Sequence, residues 1–352
     1  MTVASVTEKL SAAGARLGEY RGVPAVVSFG NPRAEFAALR EGCAVYDLGW
    51  RAKIVLSGSD RTRWLNGMIT NNVRDLAPSH GVYAFLLNPQ GHIQADLYAY
   101  NRGEHLLVDT ELGQLEKLLG LFDHYIIMDD VEVTNISAKL TAIGVQGPGS
   151  RQLLHSVGIE GSELGPLQLV DLSWQQAGIT LVRAEENKGQ AYEIWLAPPN
   201  AALLWDALVQ AGATPAGTEA LEWFRIAAGI PRFGQDIRER DLPQETGQDR
   251  ALHFTKGCYV GQEIVERIHA RGQVHRIFTS FRIEGTPPSP GTKIQADGKE
   301  VGEVTSPAAL PTNQGDVSVA LGYIRREAAR KDLEIGGAPA RVQESPVPEI
   351  TK

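Results

Sequence analysis

The chain has 352 residues, 43% of them apolar and 22% charged, and its 34 Lys+Arg against 42 Asp+Glu leave a formal net charge of −8. At roughly 150 residues per domain this length implies two or three domains with cores of their own and excludes a single small module. The acidic balance disfavours a broad nucleic-acid footprint, and no apolar stretch approaches the roughly 18 to 20 residues that span a bilayer.

In chain order, Val6, Leu10, Ala13 and Leu17 stand at helical spacing, predicting a helix over 6–17. Ala25–Phe29 reads as a strand. Asn31-Pro32 offers an N-cap followed by proline at the first helical position, for a helix through Arg40. Strand Lys53–Leu56 and helix Asp60–Asn66 follow, then a hairpin of Tyr83–Leu87 and Ile93–Tyr100 about the turn Asn88-Pro89-Gln90-Gly91. Leu112, Leu115, Leu118, Leu119 and Phe122 form one helical stripe, and Val131–Ile136 and Leu140–Val145 read as strands. Beyond Gly147-Pro148-Gly149 come a helix at 150–157, strands near 168–173, 179–184 and 191–196, and helices near 200–211 and 217–228. Residues 229–255 are polar and punctuated by Gly and Pro, a length of loop that usually serves function or linkage. Short β-like runs at 277–283, 292–296, 300–305 and 317–324 predict a small C-terminal barrel, and Gln343–Lys352 a loose tail.

Cys43 and Cys258 are the only cysteines, far apart and without a CxxC, which excludes a disulfide framework or zinc ribbon. The eight histidines form no HxH or HExxH pattern, so no metal site is expected. No basic segment followed by an apolar run opens the chain, and a cytoplasmic location without membrane partners is expected. The most unusual stretch is Lys256-Gly257-Cys258-Tyr259-Val260-Gly261-Gln262-Glu263. A helix starting near Gly261 would aim its free N–H groups back at Cys258, and with Lys256 nearby both effects favour a thiolate. The competing reading is a small buried apolar residue in a tight loop; Cys43, in an apolar context, reads as core.

This octapeptide resembles the K-G-C-Y-x-G-Q-E motif of the YgfZ family, folate-binding proteins implicated in iron–sulfur cluster synthesis or repair. Arg267, Arg271-Gly272 and His275-Arg276 extend the likeness. Ala38-Leu39-Arg40, Val45-Tyr46-Asp47-Leu48, Leu65-Asn66-Gly67, Thr70-Asn71-Asn72-Val73, Gln146-Gly147-Pro148 and Gly234-Gln235-Asp236-Ile237 resemble the wider glycine-cleavage T-protein (aminomethyltransferase) superfamily. The resemblance implies an α+β fold of three domains in a ring around a folate channel. Residues 1–50 with 139–229 would form one lobe, 51–138 with 230–273 a second carrying the cysteine loop, 274–345 the β-barrel and 346–352 a tail. It implies tetrahydrofolate, or a one-carbon derivative, as cofactor, with Glu193, Arg225, Asp96, Lys256 and Tyr259 in contact.

A pterin presents two adjacent donors that one carboxylate accepts in a forked pair, the role the resemblance gives Glu193. Without that likeness a strand glutamate reads as solvated, and Arg225 as an ion pair with Glu222, Asp236 or Glu245. Asp96 matches an aspartate placed near the one-carbon edge of folate, where it can stabilise developing positive charge. Two departures stand out: Ala95 replaces a second aspartate, and Glu186 stands at an aromatic position. Within 249–276, Arg250, Lys256, Arg267, Arg271 and Arg276 outnumber Asp249, Glu263 and Glu266, a rim suited to an anionic folate tail. Two functions follow: a folate-dependent auxiliary factor that meets iron–sulfur client proteins or assembly machinery with Cys258 as its thiol, or a tetrahydrofolate-dependent aminomethyl- or methyltransferase using Asp96. With two distant cysteines the chain cannot cage a conventional cluster itself. Binding without catalysis, with a structural Cys258, is the third.

Overall fold

Alternating apolar residues broken by glycine and proline turns divide this chain into short strands, and most of the elements among the described residues are β. The computed structural model describes residue 10 and residues 14–161, 163–185, 190–272, 274–312 and 314–343. Strands β1 (Arg16–Tyr20) and β2 (Val23–Ser28) form an antiparallel pair, followed by helix α1 (Pro32–Glu41). Asn31 caps that helix, its side chain accepting from the Ala34 amide at 3.2 Å, with Pro32 in the first turn. Then come β3 (Ala44–Asp47), β4 (Arg51–Ser57), α2 (Arg61–Met68), β5 (Gly81–Leu87), β6 (Ile93–Asn101), β7 (Leu106–Glu111), α3 (Leu115–Tyr125), β8 (Glu132–Asn135), β9 (Thr141–Gln146) and α4 (Ser150–Ser156). They are followed by β10 (Leu169–Trp174), β11 (Ala177–Arg183), β12 (Ala191–Leu196), α5 (Pro198–Gln210), β13 (Thr214–Pro215), α6 (Thr218–Ala227) and α7 (Gln262–Arg271). Strands β14 (Arg276–Ile283), β15 (Lys293–Ala296), β16 (Lys299–Thr312), β17 (Gly315–Arg325), β18 (Leu333–Ile335) and β19 (Ala338–Gln343) complete the order.

Contacts among the described residues divide the chain into two compact units, one of Met1–Asn66, Asn72–Tyr83 and Leu97–Leu221, the other of Gly67–Asn71, Ala84–Asp96 and Glu222–Lys352. The first holds a six-stranded sheet of order β10-β11-β12-β9-β3-β13, antiparallel except where β13 joins β3. Its core gathers Ile143 and Val145 of β9, Tyr192 and Ile194 of β12 and Leu204, Trp205 and Leu208 of α5. Period-two alternation therefore turns Glu193 and Trp195 to the opposite face of β12. A second sheet has the order β5-β6-β7-β4-β8, with the first residues of β6 and the last of β5 belonging to the second unit.

In the second unit, β14-β17-β16-β15-β18-β19 close into a barrel around Phe281, Ile283, Ile294, Val304, Ile324 and Ile335. Closure leaves no unpaired strand edge, a small barrel's solution to exposed backbone donors and acceptors. The expected α+β class with a C-terminal barrel is what the chain forms. Four sequence expectations change. Leu17 lies in β1 rather than a helix, while most of 6–17 falls outside the described residues. Strands β3, β7, β13, β18 and β19 were not anticipated: β7 has only Leu106-Leu107-Val108 apolar before Asp109-Thr110-Glu111, and the barrel's last hairpin turns on Gly336-Gly337 with one apolar residue in two. Val131 and Ile136 lie outside β8. Gln343 ends β19 instead of opening a tail, whose remainder lies outside the described residues.

Candidate functional site

In the first unit the face of β12 that leaves the core meets side chains of the second sheet. Lys53 of β4, Asp109 of β7 and Tyr98 of β6 stand directly across from one another in register. Lys53 is fully buried, and its ammonium donates to Asp109 Oδ1 at 2.8 Å while lying 4.8 Å over the Trp195 ring. Arg51 Nε donates to the same carboxylate at 3.1 Å. Burial alone would raise the Asp109 pKa, but the two cations beside it bring it below the usual carboxylate value. Two buried cations on one buried carboxylate are tolerated only as a paired, hydrogen-bonded group.

Around this group stand aromatic rings and two further carboxylates. Tyr100 meets Trp195 edge-on at 5.0 Å between centroids, and Tyr98 lies 5.0 Å from Tyr83. The Tyr98 hydroxyl donates to buried Glu185 at 2.6 Å, and Trp195 Nε1 donates to Glu193 Oε2 at 3.0 Å. Glu193 is half-buried, and among the described residues its Oε1 accepts no hydrogen bond. Gly144, directly across from Glu193 on β9, leaves room for Tyr46: an added Cβ would sit 2.1 Å from that ring. Burial, reinforced by the Glu193 charge, raises the hydroxyl pKa of both Tyr46 and Tyr100, so both remain protonated donors.

In the second unit, Arg225 of α6 uses all five of its donor positions. Nε and Nη2 hold Glu222 at 3.0 and 2.5 Å, Nη1 holds the Ile230 carbonyl at 2.7 Å and Asp236 at 2.6 Å, and Nη2 also holds Ser306 Oγ at 2.8 Å. Fully buried Asp236 accepts in addition from the Arg232 amide at 3.0 Å, from Ser306 Oγ at 2.7 Å and from Thr305 Oγ1. The ion pairs with Glu222 and Asp236 are those weighed from sequence, and they tie α6 and the following loop to β16 of the barrel. Any ligand contact by Arg225 must replace one of these bonds. Asp96 is half-buried on β6; its neighbour Ala95 is fully buried on the strand's other face, where a second carboxylate would be desolvated.

The cysteine loop lies in the same unit, and its neighbours hold it from inside. Lys256, 5% exposed, donates to the backbone carbonyls of Ile69 and Asn71 at 2.6 and 2.7 Å and lies 4.9 Å over the Tyr259 ring. The ammonium is thus directed at these carbonyls from inside the loop. Tyr259 is buried, and burial, helped by Glu266, raises its hydroxyl pKa. Gly261, with φ +81°, begins α7, and an added Cβ would lie 2.6 Å from the Asn88 carbonyl. Cys258 is exposed, which overturns the buried-apolar reading, whereas half-buried Cys43 packs on the first unit's core. Burial raises the Cys43 thiol to about 11, against a weak hydrogen bond to Ser150 Oγ at 4.0 Å.

The proposed basic rim is largely spoken for. Lys256 is buried, Arg267 pairs with Glu263 at 2.6 Å, and Arg276 pairs with Asp241 and Glu245, both at 2.7 Å. Glu186 lies outside the described residues. Sequence reading missed Lys53, Asp109 and Glu185. The only local signal was a lysine among the apolar residues Ala52, Ile54 and Leu56 of one strand, on the face opposite to theirs.

Residues 6–256 match the GCVT N-terminal domain family, and residues 276–347 match the CAF17 C-terminal beta-barrel domain. The chain is 29% identical over 344 residues to an aminomethyltransferase of Rubrobacter xylanophilus, covering 97% of this chain and 90% of that protein. It is 27% identical over 345 residues to the aminomethyltransferase of Geobacillus kaustophilus, covering 95% and 94%. Its fold is similar to the glycine cleavage system aminomethyltransferase T of Bartonella henselae, with TM-score 0.88 at 20% identity over 98% of this chain and 97% of that one.

Proposed function

The chain belongs to the GCVT family, and on that premise we propose that it is a tetrahydrofolate-binding auxiliary factor of YgfZ type, serving the synthesis or repair of iron–sulfur proteins. The observation that carries this reading is the cysteine loop. Lys256, Tyr259 and Gly261 are all engaged in holding it, while Cys258 is exposed to solvent. A thiol held on an anchored loop is suited to exchange with a cluster or persulfide on a client protein. The CAF17-type barrel supports the same reading.

Tetrahydrofolate supplies a carrier of one-carbon units. The residues here fit its pterin: Glu193 offers an unoccupied oxygen beside one shared with Trp195, so a forked pair of donors finds acceptors, and half-buried Tyr98 gives aromatic surface while buried Tyr100 and Trp195 back the site. The donors of Arg225 are engaged within the second unit, and a direct contact with folate would replace one of those bonds. Asp96 remains the residue best suited to orient the reactive edge.

The second reading, an aminomethyltransferase, is favoured by the likeness to enzymes of that name along nearly the whole chain. The buried apolar Ala95 weighs against it. One experiment separates the two. In cells lacking this protein, Cys258→Ala is expected to lose rescue of iron–sulfur enzyme activity while tetrahydrofolate affinity stays within about twofold. Full rescue by the variant, or tetrahydrofolate-dependent turnover unaffected by it, overturns the auxiliary role.

A further inference from the structure

On the barrel of the second unit a pocket of about 400 Å³ is lined by Arg240, Arg276, Lys293 and Arg325, with Glu300 and Glu303. That volume is in the range of small-molecule sites, about 300 to 1,000 Å³. Because Ile277, Ile294 and Ile324 fill the barrel core, alternation places their neighbours Arg276, Lys293 and Arg325 on the outer surface. Half-buried Val301 adds apolar lining, with buried Tyr323 and Ile324 behind it.

The register makes this grouping unusual. Arg276 and Arg325 stand directly opposite each other on β14 and β17, and like charges so placed destabilise a sheet. Arg276 is compensated by Asp241 and Glu245. The exposed Arg325 side chain has no ion pair or hydrogen bond among the described residues. The pocket's own carboxylates are already shared: Glu303 accepts from Arg238 at 2.5 Å and Arg240 at 2.6 Å and lies 3.6 Å from Lys293, which Glu300 holds at 2.9 Å. In a protein of net charge −8, four cations thus converge on one concave surface, where Asp241, Glu245, Glu300 and Glu303 partner three of them and leave Arg325 without a counter-charge among the described residues.

We propose that this pocket binds a small organic polyanion, with one carboxylate or phosphate group bridging Arg276 and Arg325 and a second meeting Arg240 and Lys293. Guanidinium forks match both oxyanions, and half-buried Val301 offers apolar surface to the carbon skeleton between them. The bound anion supplies Arg325 with the counter-charge that Asp241 and Glu245 already give Arg276.

Calorimetric titration of the full chain at low ionic strength, with pyrophosphate and with citrate as probes, tests this. At least one probe is expected to bind the unmodified protein, tenfold or more weaker in Arg325→Gln and at an intermediate level in Arg325→Lys. Tighter pyrophosphate binding assigns a phosphate ester as the natural class, and tighter citrate binding a polycarboxylate. Without ligand, Arg325→Gln is expected to melt at or above the unmodified protein, since it loses only repulsion. Binding of neither probe, equal binding by Arg325→Gln, or a lower ligand-free melting temperature for that variant overturns the proposal.

Discussion

Glu193 illustrates how a strand carboxylate becomes a recognition group. Its neighbours Tyr192 and Ile194 are buried in the core, so the backbone is held on both sides, and Trp195 Nε1 fixes one carboxylate oxygen at 3.0 Å. Lys53 beneath the Trp195 ring restrains that indole in turn, anchored by Asp109 at 2.8 Å. Such preorganisation reduces the ordering cost of binding. Glu193→Ala is therefore expected to weaken tetrahydrofolate binding more than tenfold, about 1.4 kcal/mol or above, in a calorimetric titration. An unchanged Kd would place the pterin elsewhere.

At the scale of elements, the cysteine loop depends on a close approach of two backbones. Gly261 begins α7 in the left-handed region against the Asn88 carbonyl, and Gly91, with φ +78°, lies where an added Cβ would stand 2.7 Å from Ile264 of that helix. The β5–β6 turn and the start of α7 therefore seat against each other through two glycines. Gly261→Ala combines an unfavourable φ with a backbone clash and is expected to cost about 1–3 kcal/mol in urea denaturation. It should also change the rate at which Cys258 reacts with a disulfide reagent. An unchanged thiol rate would mean that the loop keeps its shape without the close contact.

Across the whole molecule, ion pairs on buried groups set the acid limit of stability. The folded pKa of Asp109 lies below its ordinary value, which is about 3.9 in an unfolded chain. Its stabilisation is thus fully present above that value and lost as pH falls through the folded one. Melting temperatures from pH 7 to pH 3 are expected to fall on the acid side. Asp109→Asn, which leaves Lys53 and Arg51 without their carboxylate, is expected to cost about 3–5 kcal/mol at pH 7 and to flatten that acid limb. A variant that keeps the steep acid limb would assign it to other carboxylates, such as Glu303, also lowered by its arginines against its own burial.

The order of most elements, the α+β class, the C-terminal barrel and the cysteine motif were legible in the sequence, because each rests on local information: alternation, helical spacing, caps such as Asn31-Pro32 and glycine placement. Strand β7 escaped because its apolar run ends at Val108 with the polar Asp109-Thr110-Glu111 after it, and that buried carboxylate makes sense only once Lys53 and Arg51 stand beside it. Cys258 was ambiguous for the same reason, since exposure of a thiol depends on what covers the loop. Only the tertiary structure decided that Lys256 faces backbone carbonyls, that the donors of Arg225 are already occupied, and that Arg276 and Arg325 stand opposite each other. Pairings between residues distant in the chain are set by strand register and burial, which local pattern constrains but does not specify.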